Sequence, residues 1–182
     1  MVKILFTFFV LIHITQGFSQ DNAKCDALFL KGNKQIDSIG KPNFKKAIKI
    51  YSKILKIDPN YHKALYNRGI SFVGNGKLDL AIKDFNKFIN IAPIEEKRKI
   101  AEAHTNRGVV YKKLNDFEKA MKDFNKALEI DEIPKAYYNR ALIYRKQNNL
   151  NSACEDFHKA VELGMKDKDN LEVDCSKIQR NK

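Results

Sequence analysis

Tryptophan is absent, and only four prolines and eight glycines interrupt 182 residues. So few breakers leave room for long helices. There is no phosphate-cradling glycine loop, and no Ser, Cys or Lys stands in a nucleophile motif. His13 lies in the first apolar stretch, and His62, His104 and His158 are widely separated, none beside a Cys or carboxylate at metal-ligand spacing. These absences remove the usual marks of an enzyme or a metal site, so neither catalysis nor a cofactor is expected. Past the first twenty or so residues no apolar run is long enough to cross a membrane. Acidic residues are also in deficit, 22 against 34 basic, for a net charge of +12. Such a balance can signal an acidic partner, a nucleic acid or an anionic membrane face. Here the lysines are scattered along almost every segment and no nucleic-acid-binding motif accompanies them. A solvated helical surface accounts for the charge, and no nucleic acid partner is expected.

The chain opens on Lys3, an apolar run from Ile4 to Ile14 broken by Thr7 and His13, and Gly17-Phe18-Ser19. A short basic start, an apolar stretch too short to span a bilayer and small residues at its end predict a signal peptide over 1–19, cleaved before Gln20. The expected location is outside the cytoplasm: periplasmic, envelope-associated or secreted. Disulfides persist there. Cys25, Cys154 and Cys175 are an odd number, so at most one pair forms within the chain.

An internal repeat dominates the remainder. Leu65-Tyr66-Asn67-Arg68-Gly69 is followed by Ala81 and Phe85, His104-Thr105-Asn106-Arg107-Gly108 by Ala120 and Phe124, and Tyr137-Tyr138-Asn139-Arg140-Ala141 by Ala153 and Phe157. The interval from the glycine position to the alanine is constant, which marks an array of stacked helical hairpins. Apolar spacing predicts first helices over 61–73, 101–114 and 134–146, and second helices over 78–91, 117–130 and 150–163. The turns fall at Gly74-Asn75-Gly76, Asn115-Asp116 and Gln147-Asn148-Asn149. A more worn first hairpin spans 23–60, with Gly32 at the close-packing position and Ala47 and Tyr51 on its second helix. The extra residues near Ile94 to Lys99 are expected to lengthen the first helix of the third hairpin. Arg68, Arg107 and Arg140 vary together with Asp84, Asp123 and Asp156, which predicts an Arg–Asp contact across each of these helix pairs.

The spacing of the glycine position, Ala-x-x-x-Phe and the following proline resembles the tetratricopeptide repeat family over about residues 23–163, of the kind found in exported bacterial proteins. Asn-Arg-Gly stands where the family has an aromatic and Leu-Gly. The resemblance implies an all-α, right-handed superhelical solenoid of four helix pairs (units 23–60, 61–93, 101–133 and 134–163), with 164–182 as a C-terminal capping segment and tail. It also implies a non-enzymatic protein–protein interaction module whose first helices line a concave groove for a peptide or partner protein. Carried over by position, the groove receives Phe29 and Asn33 from the first unit, and Lys63, Tyr66, Asn67 and Ile70 from the second. The third adds Thr105, Asn106, Val109, Lys112 and Lys113, and the fourth Lys135, Tyr138, Asn139, Leu142, Arg145 and Lys146. The tyrosines would serve as platforms, the asparagines would pair with a peptide backbone, and the cations would form a basic rim. Alternatives are a passive subunit of an envelope assembly and charge-led binding of an anionic polymer. The last hairpin needs a cover. A Cys154–Cys175 bond pinning a short segment there resembles the tail of exported repeat proteins and leaves Cys25 as a buried thiol.

Overall fold

The structure, a computed structural model, describes residues 20–37, 41–166 and 175. The expected signal peptide (1–19) and the tail beyond Lys166, Cys175 excepted, lie outside the described residues. These are helical throughout, without a strand, and none of their helices is long and apolar enough to cross a membrane. The chain divides into two compact units, Met1–Lys77 and Leu78–Lys182.

The first unit contains α1 (20–36), α2 (Phe44–Ile57) and α3 (His62–Gly74). Apolar residues at Phe44, Ala47, Tyr51 and Ile54 recur at helical spacing, so α2 turns one stripe inward. Asn43 caps it by accepting from Lys46 N at 3.0 Å. Asp58, in extended conformation, ends it before Pro59. Tyr51, Ala47, Ile54, Cys25 and Ala64 form one buried core, so all three helices contribute to it. The Tyr51 ring fits because Gly32 has no side chain: a Cβ there would lie 2.5 Å from Cε1 of that ring. Tyr61 Oη donates to Asp26 at 2.6 Å, which ties the start of α3 to α1.

The second unit contains α4 (Leu78–Ile91), one 3-10 turn (Ile94–Glu96), α5 (Lys97–Lys113), α6 (Phe117–Ile130), α7 (Pro134–Lys146) and α8 (Leu150–Glu162). The additional charged residues do extend α5, which has 17 residues against 13 in α7. Pro134 opens α7 at a position where its missing N–H goes unneeded. α5, α7 and α8 end alike. Asn115, Asn148 and Gly164 adopt positive φ (61°, 59° and 92°), and the two N–H groups at each end return to carbonyls of the last turn, as in Asn115 N to Lys112 O and Asp116 N to Tyr111 O. Asp116 and Asn149 then cap the next helices, accepting from Lys119 N and Ser152 N. A two-residue reversal therefore follows directly from an Asn that tolerates the left-handed region and a capping residue beside it.

α5 packs on α4 and α6, and α6 packs on α7, so the second helix of one hairpin supports the first helix of the next. Phe124 of α6 is fully buried in a cluster with Ala101 of α5 and Ala136 and Ile143 of α7. Its edge also rests on Gly108, where a Cβ would stand 2.7 Å from the ring. The glycine thus admits the aromatic of its own hairpin, and that ring in turn fills the layer toward the next. Phe157 repeats this in α8 and is covered by Tyr138 and Cys175. Cys175 is disulfide-bonded to Cys154 with Cα atoms 5.5 Å apart, and Cys25 is a buried free thiol.

Candidate functional site

Two sets of polar contacts stand out within the units. The first is where the groove residues were expected. In the first unit Asn33 Oδ1 accepts from Tyr51 Oη and from Asn67 Nδ2, both at 2.8 Å. Asn67 thus joins α3 to α1. Lys63 is exposed and Ile70 half-buried, whereas Tyr66 is buried. In the second unit Lys135 Nζ donates to Asn106 Oδ1 at 2.9 Å, and Asn139 Nδ2 donates to the carbonyl of Lys135 at 2.8 Å. Loss of hydration at the Lys135 ammonium lowers its pKa, and the Lys113 charge lowers it further, with Glu102 opposing both. Lys113 is exposed, and Val109, Lys112 and Arg145 are half-buried.

Two of the expected ligand contacts have other roles. Thr105 is buried and its hydroxyl donates to Ala101 O at 2.9 Å within α5. Tyr138 is only 5% exposed, and its ring lies 6.5 Å from that of Phe157. A side chain one helical step from the interface with a neighbouring hairpin is drawn into that interface when it is long and apolar. The tyrosines are therefore parts of the core instead of open platforms.

The second region is built from the co-varying charges. Arg107 Nε donates to Asp123 Oδ2 at 2.8 Å and Nη2 to Oδ1 at 2.6 Å. Arg140 repeats the fork on Asp156 at 2.7 and 2.8 Å. The expected contact is therefore present in both complete hairpins of the second unit. Arg68 and Asp84 belong to different units; within its own, Arg68 donates to Ser52 Oγ at 3.1 Å. Both forked arginines also reach back one hairpin through Nη1, Arg107 to Asn86 at 2.5 Å and Arg140 to Asn125 at 2.7 Å. Each guanidinium consequently pins two hairpins with one rigid group.

His104 belongs to this region. It sits in the middle of α5, not at a helix start, and its Nδ1 lies 3.1 Å from Asp123 Oδ1. It does touch a carboxylate, at a sequence separation of 19 that no ligand-spacing rule covers. Burial by itself would raise the Asp123 pKa; the Arg107 hydrogen bonds and His104 outweigh it and hold the carboxyl below its ordinary value. With Asp123 ionised, Nδ1 carries the proton and donates to it. Asn86 and Asn125 were missed at the sequence level, although a signal existed: Asp-Phe-Asn-Lys recurs intact at 84–87 and 123–126.

The chain matches the tetratricopeptide repeat in three places, residues 62–95, 101–132 and 134–167. Several solved structures are similar. A crystal structure of MamA shares 23% identity and a TM-score of 0.66, covering 81% of this chain and 82% of that one. MamA from Desulfovibrio magneticus, residue 41 to the end, shares 23% identity and a TM-score of 0.65 over 76% and 75%. The APC/C hetero-tetramer Cut9–Hcn1 shares 16% identity and a TM-score of 0.60, covering 79% of this chain and 29% of that one. No curated protein sequence matches the chain.

Proposed function

The chain belongs to the tetratricopeptide repeat family and is thereby a protein–protein interaction module, and on that premise we propose that it holds an extended segment of a partner protein against its first helices, outside the cytoplasm. The observation that carries this reading is the cationic face of α5 and α7. Lys113 stands close enough to Lys135 to lower its pKa, and Glu102 is the counter-charge that reaches Lys135. Lys112 and Arg145 lie in the last turns of the same two helices. An acidic stretch of partner would relieve that repulsion, with Asn106 already orienting Lys135 toward it. The Cys154–Cys175 disulfide supports an oxidising compartment.

The test is capture of cross-linked partners from the native cells by the wild-type chain and by a Lys113→Glu/Lys135→Glu double variant. Each reversal of a charge facing a complementary partner should weaken binding by at least about tenfold, so a partner seen with wild type should vanish. Reversal of Lys45 and Lys49, exposed on α2, should leave capture intact. Undiminished capture by the first variant would remove the reading. Loss that follows salt alone and ignores which lysines are reversed would favour binding of an anionic polymer. Tyr66 and Tyr138 are unsuitable probes, because replacing a buried ring tests folding along with binding.

A further inference from the structure

Side chains of α4, α5 and α6, without Lys113 or Lys135, line an open cleft of about 850 Å³. This is within the range of small-molecule sites, roughly 300–1,000 Å³. His104, Arg107 and Asp123 are buried or half-buried and form its floor, and Lys119, Lys122 and Lys126 are exposed at its mouth. We propose that this cleft binds a small polar molecule bearing an anionic group, phosphate or carboxylate, held by Lys122 and the neighbouring cations against the ring of His104.

Three observations converge on it. The first is a difference between consecutive layers of the same scaffold. One hairpin further along, Arg140 makes the same fork, but the rings of Tyr137 and Tyr144 face its guanidinium at 5.7 and 5.9 Å. Tyr137 stands three residues before its arginine, as His104 stands three before Arg107. Tyr111 stands four residues after Arg107, as Tyr144 does after Arg140, but the smaller imidazole turns to Asp123, so the phenol of Tyr137 has no counterpart in this layer. The second is charge. Four cations line the cleft, Arg107, Lys119, Lys122 and Lys126, against two carboxylates. Asp123 engages Arg107 and His104, Glu129 engages Lys126 at 2.8 Å, and Lys119 Nζ donates to Asp116 at 2.6 Å, so the excess charge rests on Lys122. The surplus field inside is positive, and low-dielectric walls concentrate it. The third is the imidazole itself. Nδ1 is committed to Asp123, and among the described residues no buried side-chain nitrogen or oxygen lacks a partner. The ring lines the cleft, so an anion bound there lies against it. The Asn86 and Asn125 amides beside it offer further donors.

Side-chain ¹H–¹⁵N NMR of the histidines in the full chain reads this directly. Pyrophosphate and citrate are titrated in separate arms at constant ionic strength, with His62 and His158 as internal references. A saturable shift of the His104 resonances alone is expected, and the arm that saturates at lower concentration identifies the anion class. Lys122→Glu should weaken it by about tenfold, equivalent to about 1.4 kcal/mol. His104→Tyr, which installs the residue of the next layer, should abolish it, read by the shift of the Asn86 and Asn125 side-chain amides, with the far-UV circular dichroism still helical. No saturable shift in either arm would overturn the proposal. So would equal shifts at all three histidines, or unchanged affinity in Lys122→Glu, which is exposed and gives the answer even if His104→Tyr fails to fold.

Discussion

Asp123→Ala removes the acceptor on which one layer of the second unit is centred. The carboxylate side chain is 5% exposed and accepts from Arg107 Nε and Nη2 and from His104 Nδ1. Without it the Arg107 guanidinium, itself 18% exposed, keeps Asn86 but has no counter-charge. Stripping one partner from a buried pair costs about 3–5 kcal/mol because the remaining charge stays desolvated. Arg107 retains some water, which places the loss near 3 kcal/mol, a large part of a total of about 5–15. With a urea dependence of about 2 kcal/mol per molar, the unfolding midpoint should fall by about 1.5 M at neutral pH. Far-UV circular dichroism in urea measures it. Acid provides a second arm. The folded Asp123 pKa lies below the unfolded value of about 3.9. Its contribution is therefore complete above about pH 4 and is lost as pH falls through the lower folded value, so wild type and variant should converge in acid. Glu162→Ala serves as the comparison, since its partner Lys159 and it are solvated at the surface and such pairs contribute at most about 1 kcal/mol. A midpoint shift for Asp123→Ala no larger than that for Glu162→Ala would refute the argument that this fork is a buried, necessary pair.

Reduction of the disulfide, or Cys175→Ser, should destabilise the last hairpin by about 3 kcal/mol, because the closed loop spans a sequence separation of 21. The melting temperature should drop by roughly 10 °C in a thermal scan with and without reductant, and an unchanged scan would show that the tail does not support Phe157. Cys25 is 1% exposed and burial, then Asp58, raises its thiol pKa. It should resist a thiol reagent in buffer and react promptly in denaturing urea; fast labelling of the native protein would place it at the surface.

Much of the architecture was readable one residue at a time. Gly, Asn and Pro punctuate the helices where local backbone chemistry requires them, so α4 and α7 begin and end where the spacing puts them. The period also placed the Arg107–Asp123 and Arg140–Asp156 forks, because two charges that change together in successive units share a neighbour. The site was less legible. His104 was set aside for want of a nearby carboxylate, and Tyr138 was assigned to an open face that it does not occupy.

Hydrophobic period, turn residues and capping side chains are local properties, and they determined by themselves that this chain forms paired helices in a repeating order. Which polar groups of a helix meet one another is not local. α5 is contacted from α4, α6 and α7 at once, so the fate of His104 and Arg107 depends on Asp123 and Asn86, on other helices. Only packing in three dimensions decided that one layer sets two tyrosine rings against its arginine while the layer before it, with Tyr111 and a histidine turned to Asp123, leaves a charged cleft.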